Sequence, residues 1–132
     1  MNINEYSALY ESAKQGDPEA LYRMGVIWET EHKEDNGMWQ AERFYRKAAR
    51  RGHTGAYLAL GDLLFARGDE YLAADMWFIA AEKGSPAAMS RLGRFLSDEG
   101  MAELANKYLI RAVQTEEEAM ADNNKKEEVD HD

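Results

Sequence analysis

Gly16, Gly52 and Gly84 stand 36 and 32 residues apart, and each heads the same pattern. Four residues after each comes an alanine (Ala20, Ala56, Ala88), and nine after each a second glycine (Gly25, Gly61, Gly93). Ala41, Ala73 and Ala105 follow, each with another alanine seven residues on (Ala48, Ala80, Ala112). A period of this length marks a stack of supersecondary units, in which each unit covers the apolar face of its neighbour.

Each unit reads as two helices. The first carries Ala20, Leu21, Met24, Ile27 and Trp28, matched by Ala56, Tyr57, Leu60, Leu63 and Leu64, then by Ala88, Met89, Leu92, Phe95 and Leu96. That is the stripe of an amphipathic helix. The second carries Ala41, Phe44, Tyr45 and Ala48, matched by Ala73, Met76, Trp77 and Ala80, then by Ala105, Tyr108, Leu109 and Ala112. No stretch alternates as a strand does. Asp17-Pro18 and Ser85-Pro86 read as N-caps with proline at the first helical position. Gly52 and Gly84 suit the left-handed position past a helix end, and Arg50, Arg51 and Lys83 favour the last turn.

A glycine inside a helix costs about 1 kcal/mol against alanine. Three at one register, Gly25, Gly61 and Gly93, therefore predict a steric demand: a close approach of the partner helix backbone, with Ala41, Ala73 and Ala105 facing it. Residues 4 to 15 align with a second helix, Ala8, Leu9, Ser12 and Ala13 taking the places of Phe44, Tyr45, Ala48 and Ala49. The expected fold is all-α, with seven helices near 4–15, 18–30, 39–51, 54–67, 70–83, 86–98 and 101–118.

These stretches resemble the Sel-one-like repeat, a relative of the tetratricopeptide repeat. The likeness rests on ALYRMG with AERFYRKAARRG, AYLALG with AADMWFIAAEKG, and AMSRLG with ANKYLIRAV, and covers roughly residues 5 to 115. Gly25 to Ala41 spans 16 residues, as in that family; Gly61 to Ala73 and Gly93 to Ala105 span 12, the tetratricopeptide spacing. Repeats two and three are thus shortened between their helices, while repeat one keeps a polar loop around His32 to Gly37. The resemblance implies a right-handed superhelical α-α solenoid of three repeats and an N-terminal half-repeat.

Composition limits the rest. The 132 residues suit one domain, and 45% are hydrophobic, enough for a continuous core. There is no cysteine, hence no disulfide framework, and with no basic, apolar leader at the start the expectation is a cytoplasmic protein. Of the net charge of −9, residues 114 to 132 carry −6, which leaves −3 for the body. Residues 1–118 are expected to form the repeat domain, and 119–132 an acidic tail of frayed helix passing into disorder. No basic stripe points to nucleic acid, and no segment approaches a membrane span.

Catalytic patterns are lacking. His32, His53 and His131 have no second histidine at helical spacing, and no metal-ligand, nucleophile or phosphate-loop motif occurs. His53 holds the slot of Asp17 and Ser85, which predicts a helix-start role. Glu116 and Glu117 sit in a solvated run. No catalytic residue, metal, cofactor or small-molecule substrate is expected.

Function is then expected on a surface. By the resemblance, first helices line a concave groove, with Tyr22, Arg23, Val26 and Glu29, then Leu58, Ala59, Asp62 and Phe65, then Ser90, Arg91, Arg94 and Ser97 facing it. Tyr22, Leu58 and Phe65 would offer an apolar strip, and Arg91 and Arg94 guanidinium groups for an acidic partner. The alternative is that Phe65 tucks against the next repeat and the arginines pair with Asp62 and Asp98. A second candidate edge holds Trp39 and Tyr71, as partner anchors or, more simply, as covers for a neighbouring helix pair. The implied function is a non-catalytic protein-binding adaptor or scaffold, as in bacterial complex assembly and signalling. An immunity or inhibitor protein for a toxin or effector is the variant reading, and an enzyme without a recognisable motif the rival class.

Overall fold

The computed structural model describes residues 1–130. These form seven α-helices and no strand: α1 (Ile3–Lys14), α2 (Pro18–Glu31), α3 (Gly37–Arg50), α4 (Thr54–Ala66), α5 (Glu70–Glu82), α6 (Pro86–Asp98) and α7 (Ala102–Asp130). Each helix packs on its neighbours in the chain, most extensively within the hairpins α2–α3, α4–α5 and α6–α7. The result is an α-α solenoid of three hairpins, with α1 as a half-repeat in front.

The joints follow from local chemistry. Asp17 accepts a hydrogen bond from the Ala20 N–H at 2.9 Å, and Ser85 from the Ala88 N–H at 3.2 Å, which satisfies backbone donors at the starts of α2 and α6. His53 does the same for α4: its Nδ1 accepts from the Ala56 N–H at 3.0 Å. That bond puts the ring proton on Nε2, which donates to Glu19 Oε2 at 2.6 Å. At the other end, Gly52 takes φ +87°, and the His53 N–H reaches back to the Ala48 carbonyl at 3.1 Å. This is a glycine C-cap. Gly68 and Gly100 also have positive φ, past the ends of α4 and α6. The stop signal therefore recurs at every helix end from Gly52 to Gly100, twice as often as the repeat itself.

The three glycines inside α2, α4 and α6 are buried under the partner helix, but what meets them is mainly a side chain. Tyr45, Trp77 and Leu109, each four residues after the small alanine, lie across Gly25, Gly61 and Gly93. A Cβ at Gly61 would stand 2.5 Å from the Trp77 ring and 3.2 Å from the Ala73 carbonyl. The backbone approach expected from the sequence is therefore present, at Ala73 and Ala105, and the large side chain above it, Trp77 or Leu109, adds to the steric demand.

The core forms two clusters. One gathers Leu9, Ala13, Ala20, Leu21, Met24, Ile27, Ala48, Ala49 and Ala56; the other runs from Ala41 to Ala112. Tyr22, Trp28 and Tyr57 pack against both.

The C-terminal stretch departs from expectation. A helix ending near 118 and passing into disorder was expected; α7 continues through Asp130. Thr115 is its last partly buried residue, and 116–129 are exposed. Glu, Ala, Met and Lys are good helix formers, and a helix already nucleated by packing extends without a new nucleus. Low hydrophobicity removes the packing but not the helix. Residues 131 and 132, including His131, lie outside the described residues.

Candidate interaction surface

Helices α4, α5 and α6 together build a cleft of about 400 Å³ lined by Asp62, Phe65, Ala66, Trp77, Arg91, Arg94, Phe95 and Asp98. Four residues singled out in the sequence, Asp62, Phe65, Arg91 and Arg94, meet here. They come from two successive first helices, one repeat apart. Trp77 of α5 is buried beneath them, 5.4 Å from Phe65 between ring centres, and its indole N–H donates to Asp62 at 3.0 Å.

The arginines differ. Arg91 pairs with Asp62 at 2.7 Å and also donates to the Ala87 carbonyl. Asp62 thus holds a buried indole and a guanidinium at once, and Arg91 is not free for a partner. Arg94 is exposed and forms no ion pair among the described residues. Phe65, at 45% exposure, is the open apolar wall.

The apolar strip expected along Tyr22 and Leu58 is not an open surface. Tyr22 is half-buried, stacked on His53 at 4.5 Å and 5.8 Å from Tyr45. Leu58 and Val26 are likewise half-buried against the core. What covers Tyr22 is specific: the His53 ring at the start of α4 and the Tyr45 ring on α3. Arg23 is exposed, in a separate hollow beside α1 with Leu9 and Glu5.

The second edge also divides. Tyr71 donates to Glu99 at 3.2 Å and meets Phe95 edge-on at 5.8 Å, so it covers the end of the next hairpin. That hydrogen bond raises the pKa of its hydroxyl. Trp39 is 61% exposed, with the Arg43 guanidinium 5.5 Å from its ring centre. It borders a hollow of about 510 Å³ with Met38, Leu63, Glu42 and Arg67. Glu42 holds that hollow together: burial opposes its ionisation, but Arg46 and Arg67, each at 2.8 Å, outweigh burial and keep its carboxyl below the ordinary value.

Phe95 and Trp77 line the cleft as well as the core to which sequence periodicity assigns them. Their own register carries no sign that α4 and α6 part at this point. Among the described residues no group of three or more His, Asp or Glu side chains is placed to hold a metal ion, and no helix is long and apolar enough to cross a membrane.

No protein-family model and no curated protein matches the sequence. Solved structures do resemble the fold. A Sel1 repeat protein from Oxalobacter formigenes aligns with a TM-score of 0.73 at 27% identity, over 86% of this chain and 50% of that one. The protein c5321, a protective antigen of uropathogenic Escherichia coli strains displaying an SLR fold, aligns with a TM-score of 0.71 at 26% identity, over 81% and 25% of the two chains. MamA aligns in fold with a TM-score of 0.66 at 19% identity, over 88% and 69%. This chain spans a quarter and a half of the two repeat proteins. A Sel1-like, tetratricopeptide-like α-solenoid is the class that the fold defines, and these neighbours support the family relationship indicated by the motifs.

Proposed function

We propose that this protein is a non-catalytic interaction module that binds a protein or peptide through the face of its first helices, the concave face in repeats of this kind. The observation that carries the reading is the α4–α6 cleft, where the exposed Phe65 and the half-buried Phe95 stand beside Arg94, a cation with no ion-pair partner among the described residues. An apolar group against Phe65 would supply most of the affinity, and a carboxylate on Arg94 would set orientation and association rate. Asp62 and Arg91 serve as the frame that holds Trp77 beneath the contact. Repeat scaffolds of the Sel1-like and tetratricopeptide-like kind support a protein partner in general terms.

The test uses Phe65→Ala combined with Arg94→Glu. Neither side chain is buried, so the variant is expected to keep its helical circular dichroism and thermal midpoint. A partner captured in stoichiometric amount by the parent should be lost by the variant, since truncating an interface aromatic commonly costs about 2 kcal/mol or more. A partner held equally by both proteins moves the site away from this cleft. Tyr22→Ala is a poor probe of the same question, because Tyr22 packs against both core clusters.

A further inference from the structure

On the face of the second helices, α1 and α3 flank an open cleft of about 740 Å³. Tyr10, Leu21 and Phe44 line it together with four cations, Lys14, Lys47, Arg50 and Arg51, and no carboxylate lines it. This concentration of positive charge occurs in a chain of net charge −9. Of the four cations, only Lys14 has an ion-pair partner among the described residues, Glu11 at 3.7 Å. Lys14 lies 5.5 Å from the centre of the Tyr10 ring and Lys47 lies 5.9 Å from that of Phe44. The Arg51 guanidinium lies over Gly16, where a Cβ would approach it to 2.6 Å.

The repeat does not require this cluster. One repeat further on, Lys14, Leu21, Lys47, Arg50 and Arg51 become Arg50, Tyr57, Ile79, Glu82 and Lys83, and after another repeat Glu82, Met89, Arg111, Gln114 and Thr115. Helix polarity does not require it either: α5 has no basic residue in its last turn.

At the opposite end of the helix series, α7 projects beyond its packing. Residues 116–129 are all exposed, a rod of about 20 Å at the rise of an α-helix. Residues 116–130 hold seven acidic and two basic side chains. Met120, 67% exposed, lies among the acids. α7 packs on α6, and α1 on α2, so the two complementary features sit at the two ends of one molecule.

We infer that the acidic stretch of α7 in one copy docks in the Lys14–Arg51 cleft of a second copy, so that the chain associates head to tail. The contact is heterologous: each added copy leaves one cleft and one acidic helix free for the next. Its charges are exposed, so the association is weak, concentration-dependent and strongly screened by salt.

Sedimentation velocity over a concentration series, at low salt and again near half-molar salt, tests this. The parent should form dimers and longer species at low salt and revert to monomer at high salt. Termination after Thr115 removes the acidic helix but no buried residue. Lys47→Glu with Arg50→Glu reverses two exposed cations of the cleft, and Lys47→Gln with Arg50→Gln is the milder version. Each of the first two proteins alone should stay monomeric, and the glutamine version should associate at least tenfold more weakly than the parent. An equimolar mixture of the truncated and charge-reversed proteins should stop at a one-to-one pair, because one supplies only the cleft and the other only the helix. A parent that is monomeric at low salt overturns the inference and leaves the cleft to an acidic segment of a different protein. Association that survives the truncation, or that is unchanged by salt, overturns it as well.

Discussion

Gly61 and Gly93 hold the same register in their repeats, yet they should respond differently to a methyl group. At Gly61 the added Cβ meets the Trp77 ring at 2.5 Å, and that ring is buried and tied to Asp62. At Gly93 it meets the end of Leu109 at 2.7 Å, a side chain that can change rotamer. The gain from replacing a helical glycine, about 1 kcal/mol, is similar at both sites. Overpacking against a fixed ring costs on the order of 1–3 kcal/mol. Gly61→Ala should therefore lower stability in urea unfolding, and Gly93→Ala should lie near the parent. Equal losses would place the constraint in the Ala73 and Ala105 carbonyls instead of the rings. The Tyr45 hydroxyl, which donates to Glu29 at 2.5 Å, supplies a second residue-scale test. Burial first, and this hydrogen bond second, push its pKa well above the usual value. An unfolded tyrosine ionises near pH 10. The unfolded chain thus releases the proton first, and the contribution is complete below pH 10 and lost as pH rises further. The thermal midpoint should fall between pH 9 and pH 11, and by less in Tyr45→Phe. Equal falls would assign the alkaline loss to other groups.

Among the elements, α7 separates helix formation from packing. Its first half carries Ala105, Tyr108 and Ala112 in the core; its second half buries nothing beyond Thr115. Termination after Met120 should leave the thermal midpoint within the equivalent of about 0.5 kcal/mol, the usual range for changes at exposed sites, with a loss of helical ellipticity in proportion to the residues removed. A lower midpoint would mean that the distal turns support the last hairpin. The same element shows where composition misleads. Glutamate-rich, aromatic-free composition suggests disorder, but low hydrophobicity governs whether a segment packs, and α7 is already nucleated by its packed half. The loop between α2 and α3 was legible in advance, because the spacing from Gly25 to Ala41 exceeds its counterparts by four residues. Where that helix begins was not: Gly37 opens α3, held against the carbonyls of Trp28 and His32, a contact that leaves no mark in local sequence.

At the scale of the whole molecule, the sequence alone determined the hairpin stack. Period, small-residue register and caps are local signals: Asp17, His53 and Ser85 cap helices from their own positions, and Ala41, Ala73 and Ala105 pack within one hairpin. Tertiary structure alone decided which large side chains remain outside. Tyr22 and Phe65 both looked groove-facing, but Tyr22 is taken up by His53 and Tyr45, while Phe65 stays open above Trp77. Arg91 and Arg94 stand three residues apart on one helix, yet only Arg91 finds Asp62. The basic cleft likewise assembles from the ends of α1 and α3, about one repeat apart in sequence, so no stripe marks it along the chain. Helix content and the pairing of adjacent helices depend on neighbours a few residues or one hairpin away, which periodicity records. Exposure depends on the gap between successive hairpins, and that gap is set by side chains a full repeat apart acting together.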